Sequence, residues 1–161
     1  MHYKNISPSE EVSKKENINF IITDISGDEY FIHTSKLMLK VSEGIILVYS
    51  KNDRKSFEDI ENIWIKLINE YFNIKNIPIL LVANKFDLLS EEVAVSHEEE
   101  EELSMKYNIP FFECSAKDNY NIDTIFDFLT KKLIEEYQKR RSNDENENKV
   151  FTIEKKEIAD I

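Results

Sequence analysis

Residues 78–87 read PILLVANKFD, a proline followed by a short apolar run that stops at four mostly polar residues. An apolar run of this length is typical of a strand buried on both faces of a parallel sheet. Two further short and mostly apolar runs have the same character: residues 44–50 read GIILVYS and residues 110–114 read PFFEC. The three runs predict three strands of one parallel sheet.

Helical periodicity fills the intervals between these strands. Ser96, with Glu99 three residues later, predicts a capping box, and Asn108 before Pro110 predicts the end of that helix. Apolar residues between 122 and 133 indicate a last helix. Strands that alternate with helices predict an α/β domain whose sheet is covered on both faces. An earlier helix is marked by one apolar stripe at spacings of three and four: Phe57, Ile60, Trp64, Leu67, Ile68 and Tyr71.

The two ends of the chain carry weaker patterns. Residues 1–17 are polar and show no period, which predicts a flexible N-terminal arm. The β-branched run 18–23 predicts a strand, and residues 28–40 favour a helix weakly. Residues 140–161 are charged and rich in asparagine, which predicts a disordered tail. We therefore expect one domain over residues 18–139.

Composition argues against several classes of function. The chain has 161 residues, of which 41% are hydrophobic, and a formal net charge of −11. An acidic balance argues against nucleic acid and anionic membranes as partners. One cysteine excludes an internal disulfide, and the three histidines form no H-E-x-x-H metal pair. With neither a signal peptide, a spanning run nor a cysteine for lipidation, we expect a cytoplasmic protein without a membrane anchor.

Two other features have simple explanations. The acidic run Glu98–Glu102 offers carboxylates for a cation, but a solvated helix face accounts for it more simply. His33 and His97 are expected at the surface, and Cys114 is expected as a small packed residue at the end of a buried strand. None of these residues predicts a site by itself.

Polar motifs follow three of the predicted strands, where parallel sheets bind their ligands. Asp24–Gly27 reads DISG, Asn84–Asp87 reads NKFD and Ser115–Lys117 reads SAK. Each motif alone is also compatible with an ordinary turn. In this order and position they resemble the motifs of Ras- or Rab-like small GTPases of the Ras superfamily, from about Asn19 to Tyr137. The resemblance implies a P-loop-NTPase-like parallel sheet flanked by helices, in a protein that binds and hydrolyses GTP in signalling or vesicle trafficking.

The resemblance also implies how the two later motifs recognise guanine. Asp87 would accept hydrogen bonds from the ring N–H and the exocyclic amine of the base, a donor pair that adenine lacks. Lys85 would cover the face of the base with its methylene groups. The Ala116 N–H would donate to the guanine carbonyl. The residues that would hold and shape these loops are Asn84, Ser115 and Lys117.

The first motif would contact the phosphates and the metal. By the resemblance, Asp24 faces a magnesium ion through water, and the Gly27 N–H approaches the terminal phosphate. Asp28 stands where many family members carry the glutamine that orients water, and a carboxylate cannot donate a hydrogen bond there. Residues 28–40 would contact effector or regulator proteins, because this segment rearranges with the nucleotide in family members.

The earliest parts of the family fold have no counterpart in this sequence. Gly27 and Gly44 are the only glycines, which excludes a G-x-x-x-x-G-K-[ST] phosphate loop. A strand–helix–strand unit needs about 30 residues, more than precede Asp24. The expected fold therefore lacks the first strand, the phosphate loop and the first helix. Since that strand lies beside the 44–50 strand in the family, its loss would leave open edges or close up the sheet.

Two functions and two origins stay open at this point. The chain is either a small GTPase with impaired hydrolysis or a non-catalytic pseudo-GTPase that acts as a protein-interaction module. It is either an incomplete gene product or a natural short form. An unrelated receiver-like α/β domain would need an acidic cluster at the strand ends, where only Asp24 is suitably placed.

Overall fold

The computed structural model describes residues 2–6, 18–27, 32–71, 77–89 and 92–144. The strands in these ranges are β1 (His2–Ile6), β2 (Ile18–Ile22), β3 (Ile45–Ser50), β4 (Ile79–Asn84) and β5 (Phe111–Glu113). The helices are α1 (Ile32–Leu39), α2 (Arg54–Asp59), a π-helical stretch (Ile60–Ile65), α3 (Lys66–Tyr71), α4 (His97–Tyr107) and α5 (Ile122–Asp144). Because α2, the π-helical stretch and α3 follow without a break, they form one long helix that carries the predicted apolar stripe.

The strands form two separate sheets. β3, β4 and β5 form a parallel sheet in that order, with Ile45 opposite Ile79 and Leu81 opposite Phe111. β1 and β2 form an antiparallel pair. The predicted parallel sheet with alternating helices is therefore confirmed for the three later strands. Within the described ranges β2 is not hydrogen-bonded to β3, so these two strands have not closed up into one sheet.

Two predictions about the ends of the chain are wrong. β1 lies within residues 1–17, where a loop was expected, because a strand takes its hydrogen bonds from its partner and needs no strong pattern of its own. α5 extends to Asp144, so residues 140–144 are helical rather than part of a disordered tail. Lysine, arginine and glutamine favour helix there. Residues 7–17 and 145–161 lie outside the described residues.

Helices cover the two faces of the parallel sheet unequally. On one face, α1 to α4 and the π-helical stretch pack against alternate strand residues such as Leu47 and Leu81. On the other face α5 packs through Ile125 and Leu129. β4 is buried on both faces, as predicted, but Val48 of β3 is 56% exposed on the side of α5. No helix in the described part of the chain is both long and apolar enough to cross a membrane.

α4 begins and ends as its sequence predicts. The Ser96 side chain accepts a hydrogen bond from the Glu99 N–H, and the Glu99 carboxylate accepts one from the Ser96 N–H. Asn108 closes the helix in the left-handed conformation, with φ of 54°. These caps fix the helix between β4 and β5, the two strands whose ends carry polar loops.

Gly44 lies where α5 passes over the start of β3. A Cβ built on Gly44 would lie 3.1 Å from Leu129 Cδ1 and 3.3 Å from Leu133 Cδ2. We expect Gly44→Val to lower the free energy of unfolding by about 1–3 kcal/mol, because the added side chain overpacks this contact. The control is Gly27→Val, since a Cβ on Gly27 meets no atom within 4 Å. Denaturant unfolding of both variants checks this, and equal stability of the two would contradict it.

Candidate functional site

Two polar loops meet at the carboxyl edge of the parallel sheet. The first begins at Asn84, the last residue of β4, and includes Asp87, and the second follows β5 and carries Ser115 and Ala116. The Ala116 N–H donates to Asn84 Oδ1 at 3.0 Å, and Ser115 Oγ donates to Asp87 Oδ1 at 2.7 Å. Since adjacent parallel strands end at the same edge, these contacts follow directly from the strand order. They join the two loops into one site.

Asp87 supplies the shielded negative charge of this site. Its side chain is only 11% exposed, and its second oxygen, Oδ2, lies 3.3 Å from Lys117 Nζ. The hydrogen bond from the Ser115 hydroxyl, followed by a backbone N–H and then Lys117, holds the pKa of Asp87 below its usual range. The carboxylate is therefore ionised at neutral pH and can only accept hydrogen bonds. The Lys117 side chain is 78% exposed, so its ammonium group can leave Oδ2 to an incoming donor.

The Ala116 N–H is already engaged in this structure. Because it donates to Asn84 Oδ1, a carbonyl group that approaches it must share the donor with that side chain. The loop around it is held in place by two further contacts. Ser115 forms an antiparallel bridge with Tyr120, and Ser115 Oγ accepts from the Asp118 N–H at 3.1 Å. The amide thus has a fixed direction at an exposed position.

Lys85 adopts an unusual backbone conformation in the first loop. Its φ of 69° lies in the left-handed region, which costs roughly 1–2 kcal/mol for a residue with a side chain. Its ammonium group donates to Asn52 Oδ1 at 3.1 Å, in the turn that follows β3. Strained backbone of this kind concentrates at functional sites. The Lys85 side chain therefore links the β4 loop to the end of β3.

The structure does not place Asp24 and Gly27 in this site. Both residues are exposed, and both follow β2, which belongs to the separate antiparallel sheet. Asp28, with the rest of 28–31, lies outside the described residues. Mg²⁺ is commonly bound by one or two carboxylates together with substrate phosphates. Asp24 can supply one such carboxylate, and the remaining ligands would have to come from phosphate and water.

A buried ion pair lies beneath the two loops, and sequence reasoning missed it. Lys51 follows β3 directly, and its Nζ donates to Glu100 Oε2 at 3.0 Å and to Glu113 Oε1 at 2.6 Å. The Glu100 side chain is fully buried, so a solvated face is the wrong interpretation of this position in Glu98–Glu102. The sequence did offer one signal, because Lys51 directly follows an apolar strand and a lysine buried there needs an acidic partner. Its Nζ also lies 5.7 Å from the ring centroid of Phe86, inside the first loop.

His97 stands beside the same carboxylates. Its Nδ1 lies 3.6 Å from Glu100 Oε2 and 3.6 Å from Glu113 Oε1, and one ligand atom of each residue lies within 4.8 Å of the others. Histidine with carboxylates is a common zinc set. Here the Lys51 ammonium group already lies between the carboxylates and donates to both of them, and a cation would have to displace it. The group is therefore an ion pair that supports the loops.

Comparisons with known proteins point to one family. The sequence profile of the Ras family matches residues 4–135. Ras-related protein SEC4 of Candida albicans is 39% identical over 116 residues, which are 71% of this chain and 53% of that protein. Ras-related protein Rab-13 of Rattus norvegicus is 35% identical over 79% of this chain and 61% of its own length. GTP-binding protein Rheb homolog 1 of Caenorhabditis elegans is 36% identical over 70% and 53%.

The family profile covers both sheets and both polar loops. The alignments with SEC4 and with the Rheb homolog span only about half the length of those proteins. The profile match nevertheless runs from β1 into α5, and thus through every strand that the structure describes. The chain therefore belongs to the Ras family of small GTPases.

Proposed function

We propose that this chain binds the guanine base of GDP and GTP between the loops 84–87 and 115–117. The observation that carries the proposal is the ionised, shielded Asp87 carboxylate, held by Ser115 at the edge where the two loops meet. Guanine presents a ring N–H and an amine side by side, and adenine does not. A site built around such an acceptor discriminates strongly against a base that leaves it unpaired. Family membership supports the same assignment.

The phosphate side of the proposed site is weak. Asp24 would hold Mg²⁺ through water and Gly27 would face the terminal phosphate, yet both follow a strand of the other sheet. Each missing charge-assisted phosphate contact removes about 1.5–3 kcal/mol of binding free energy. We therefore propose micromolar rather than picomolar affinity. Hydrolysis should be impaired further, because positioning and charge stabilisation account for nearly all of phosphoryl-transfer catalysis.

A second candidate function is a non-catalytic interaction module. The segment 28–40, proposed as the contact for effector or regulator proteins, contains α1 in its described part. Near its end, Leu37 and Met38 are 61% and 37% exposed, and Val41, just after the segment, is 78% exposed. An ion pair of 3.3 Å between Lys36 and Glu70 holds this helix to α3. Neighbouring apolar side chains on a surface helix are typical of a protein-binding surface.

Titration with fluorescently labelled GDP and labelled ADP, each with magnesium, tests the proposed base specificity. We expect saturable GDP binding in the micromolar range and a preference over ADP of at least about a hundredfold, because Asp87 pairs with guanine alone. Equal affinity for the two nucleotides would contradict guanine recognition. Phosphate release from GTP, measured on the same sample, separates the two candidate functions. Turnover that is lost in Asp24→Ala supports a GTPase, and bound but unhydrolysed GTP supports an interaction module.

A further inference from the structure

Two aromatic side chains are exposed beside the loops of the proposed site. Phe86 stands in the first loop, between Lys85 and Asp87, and Tyr120 lies three residues after the second. Their rings are stacked, with centroids 5.4 Å apart and an angle of 18° between the ring planes. The two residues are 45% and 52% exposed, so the stack does not belong to the core of the sheet. It is a packing contact that joins one loop to the other.

Backbone hydrogen bonds hold each ring in place. The Phe86 N–H donates to the carbonyl oxygen of Cys114 at 2.9 Å, which ties the first loop to the residue after β5. The Tyr120 N–H donates to the Ser115 carbonyl at 2.9 Å, and the Ser115 N–H donates to the Tyr120 carbonyl at 3.2 Å. The Phe86 ring also contacts the buried ion pair, because Lys51 Nζ lies 5.7 Å from its centroid. Each loop thus holds its own ring in position.

The backbone beside both rings adopts the left-handed conformation. The φ angle is 69° at Lys85, just before Phe86, and it is 54° and 61° at Asn119 and Asn121, on either side of Tyr120. These are three of the four residues with positive φ in the described part of the chain. Asparagine tolerates this conformation, whereas lysine adopts it at a cost. Such backbone persists where the surrounding contacts determine it. Its concentration beside the stack indicates that the placement of the two rings serves the site.

The stack completes a closed ring of contacts around Asp87. Asp87 follows Phe86 directly in the chain, and its Oδ1 accepts from Ser115 Oγ at 2.7 Å. Ser115 pairs with Tyr120 through the backbone, and Tyr120 stacks on Phe86. A loop that is already held in its binding geometry loses less conformational entropy when the ligand arrives, and this raises the affinity. The closed ring therefore favours binding at Asp87.

We propose that Phe86 and Tyr120 are positioning residues of the guanine site, whose stack holds the Asp87 carboxylate in a fixed place relative to the Ala116 N–H. This inference rests on the proposed function, because it concerns the same site. Asp87 and Ala116 lie on different loops, and the base must meet both of them at once. The two aromatic rings act through the loops and need not touch the nucleotide. An offset stack of this kind changes an equilibrium constant by a factor of roughly two to ten.

Binding of labelled GDP to two variants of Tyr120 tests the proposal. We expect Tyr120→Ala to weaken GDP binding about three- to tenfold, because the two loops must then be ordered as the base binds. Tyr120→Phe keeps the ring and should bind GDP within about twofold of the unmodified chain. The matched control is Tyr137→Ala, which removes a ring that is 46% exposed on α5 and should leave the affinity unchanged. Full affinity in Tyr120→Ala, or an equal loss in Tyr120→Phe, would overturn the positioning role.

A double-mutant cycle with Phe86→Leu separates the stack from the other contacts of each ring. If the two rings act as one unit, either substitution alone breaks the stack, and the second should add little to the loss of GDP affinity caused by the first. Additive losses would show that Phe86 and Tyr120 act independently, and would overturn the proposal.

Hydrogen exchange without nucleotide separates a failure of this inference from a failure of the proposed function. The Ala116 N–H is bonded to Asn84 Oδ1 across the loops, and it should exchange about three- to tenfold faster in Tyr120→Ala and at the original rate in Tyr120→Phe. The Leu81 N–H, bonded inside the sheet to the Pro110 carbonyl at 2.9 Å, should exchange alike in all variants. Unchanged exchange at Ala116 would overturn the positioning role whether or not GDP binds. The expected exchange in a chain that binds GDP and ADP equally would support the positioning of the loops and contradict only the proposed function.

Discussion

Asp87→Asn is expected to weaken GDP binding at least about a hundredfold and to transfer the preference of the site to xanthosine diphosphate. The asparagine amide keeps one acceptor for the ring N–H but presents N–H donors where the second carboxylate oxygen stood. Guanine then meets a donor with its own amine, so one hydrogen bond becomes a repulsive contact. Xanthine carries a carbonyl group in place of that amine and accepts from the new N–H.

Competition binding measures this change of preference, with unlabelled GDP and xanthosine diphosphate each displacing labelled GDP and labelled xanthosine diphosphate. Asp118→Asn is the matched control, since it makes the same chemical change at an exposed position on the second loop and should leave both affinities unaltered. Gain of xanthosine binding in the Asp87 variant excludes a loss of folding as the cause of weak GDP binding. If both variants bind GDP like the unmodified chain, Asp87 does not recognise the base.

The positions of the two loops could be predicted from sequence because the rule behind them is geometric. Parallel strands end at a common edge, so residues that follow apolar runs are brought together whatever their neighbours are. For this reason the Ala116 N–H donates to Asn84 Oδ1 at 3.0 Å, although the two residues are 32 positions apart in the chain. The capping box of Ser96 and the left-handed Asn108 were equally predictable, since both depend on local contacts.

Features that depend on a partner from elsewhere in the chain could not be predicted in the same way. β1 has no strong pattern because its hydrogen bonds come from β2. Glu100 resembles its acidic neighbours in sequence, and only the position of Lys51 in space makes it a buried residue. Strand pairing, which the sequence pattern does not specify, decides whether the strands form one sheet or two. Asp24 therefore follows a strand, as predicted, but that strand belongs to a different sheet from the strands before the other two motifs.

Lys51→Met is expected to lower the free energy of unfolding by about 3–5 kcal/mol, because it leaves the carboxylates of Glu100 and Glu113 without their counter-ion. The Glu100 side chain is fully buried, so water does not replace the lost ammonium group there. Thermal and denaturant unfolding measure the loss. Lys106→Met removes an exposed ion pair with Glu61 and should leave stability nearly unchanged.

The pH dependence of stability distinguishes a lost counter-ion from a lost packing contact. Burial opposes the charge of Lys51, but hydrogen bonds to Glu113 and Glu100 outweigh it and raise its pKa. A raised lysine pKa contributes stability below the usual pKa of lysine, and this contribution is lost as the pH rises through the folded-state value. The unmodified chain should therefore keep the contribution throughout the neutral range.

In the Lys51→Met variant, Glu100 should make stability depend on pH within the neutral range. Burial already raises the pKa of Glu100, and without the ammonium group it rises further. The folded variant then binds a proton that the unfolded chain releases above its usual carboxyl pKa, so its stability falls as the pH rises from the usual carboxyl pKa through the raised one. The double variant Lys51→Met with Glu100→Leu should recover most of the loss and this pH slope, because an apolar pair can replace a buried ion pair. If the double variant is as unstable as the single one, the loss does not come from the unpaired carboxylate of Glu100.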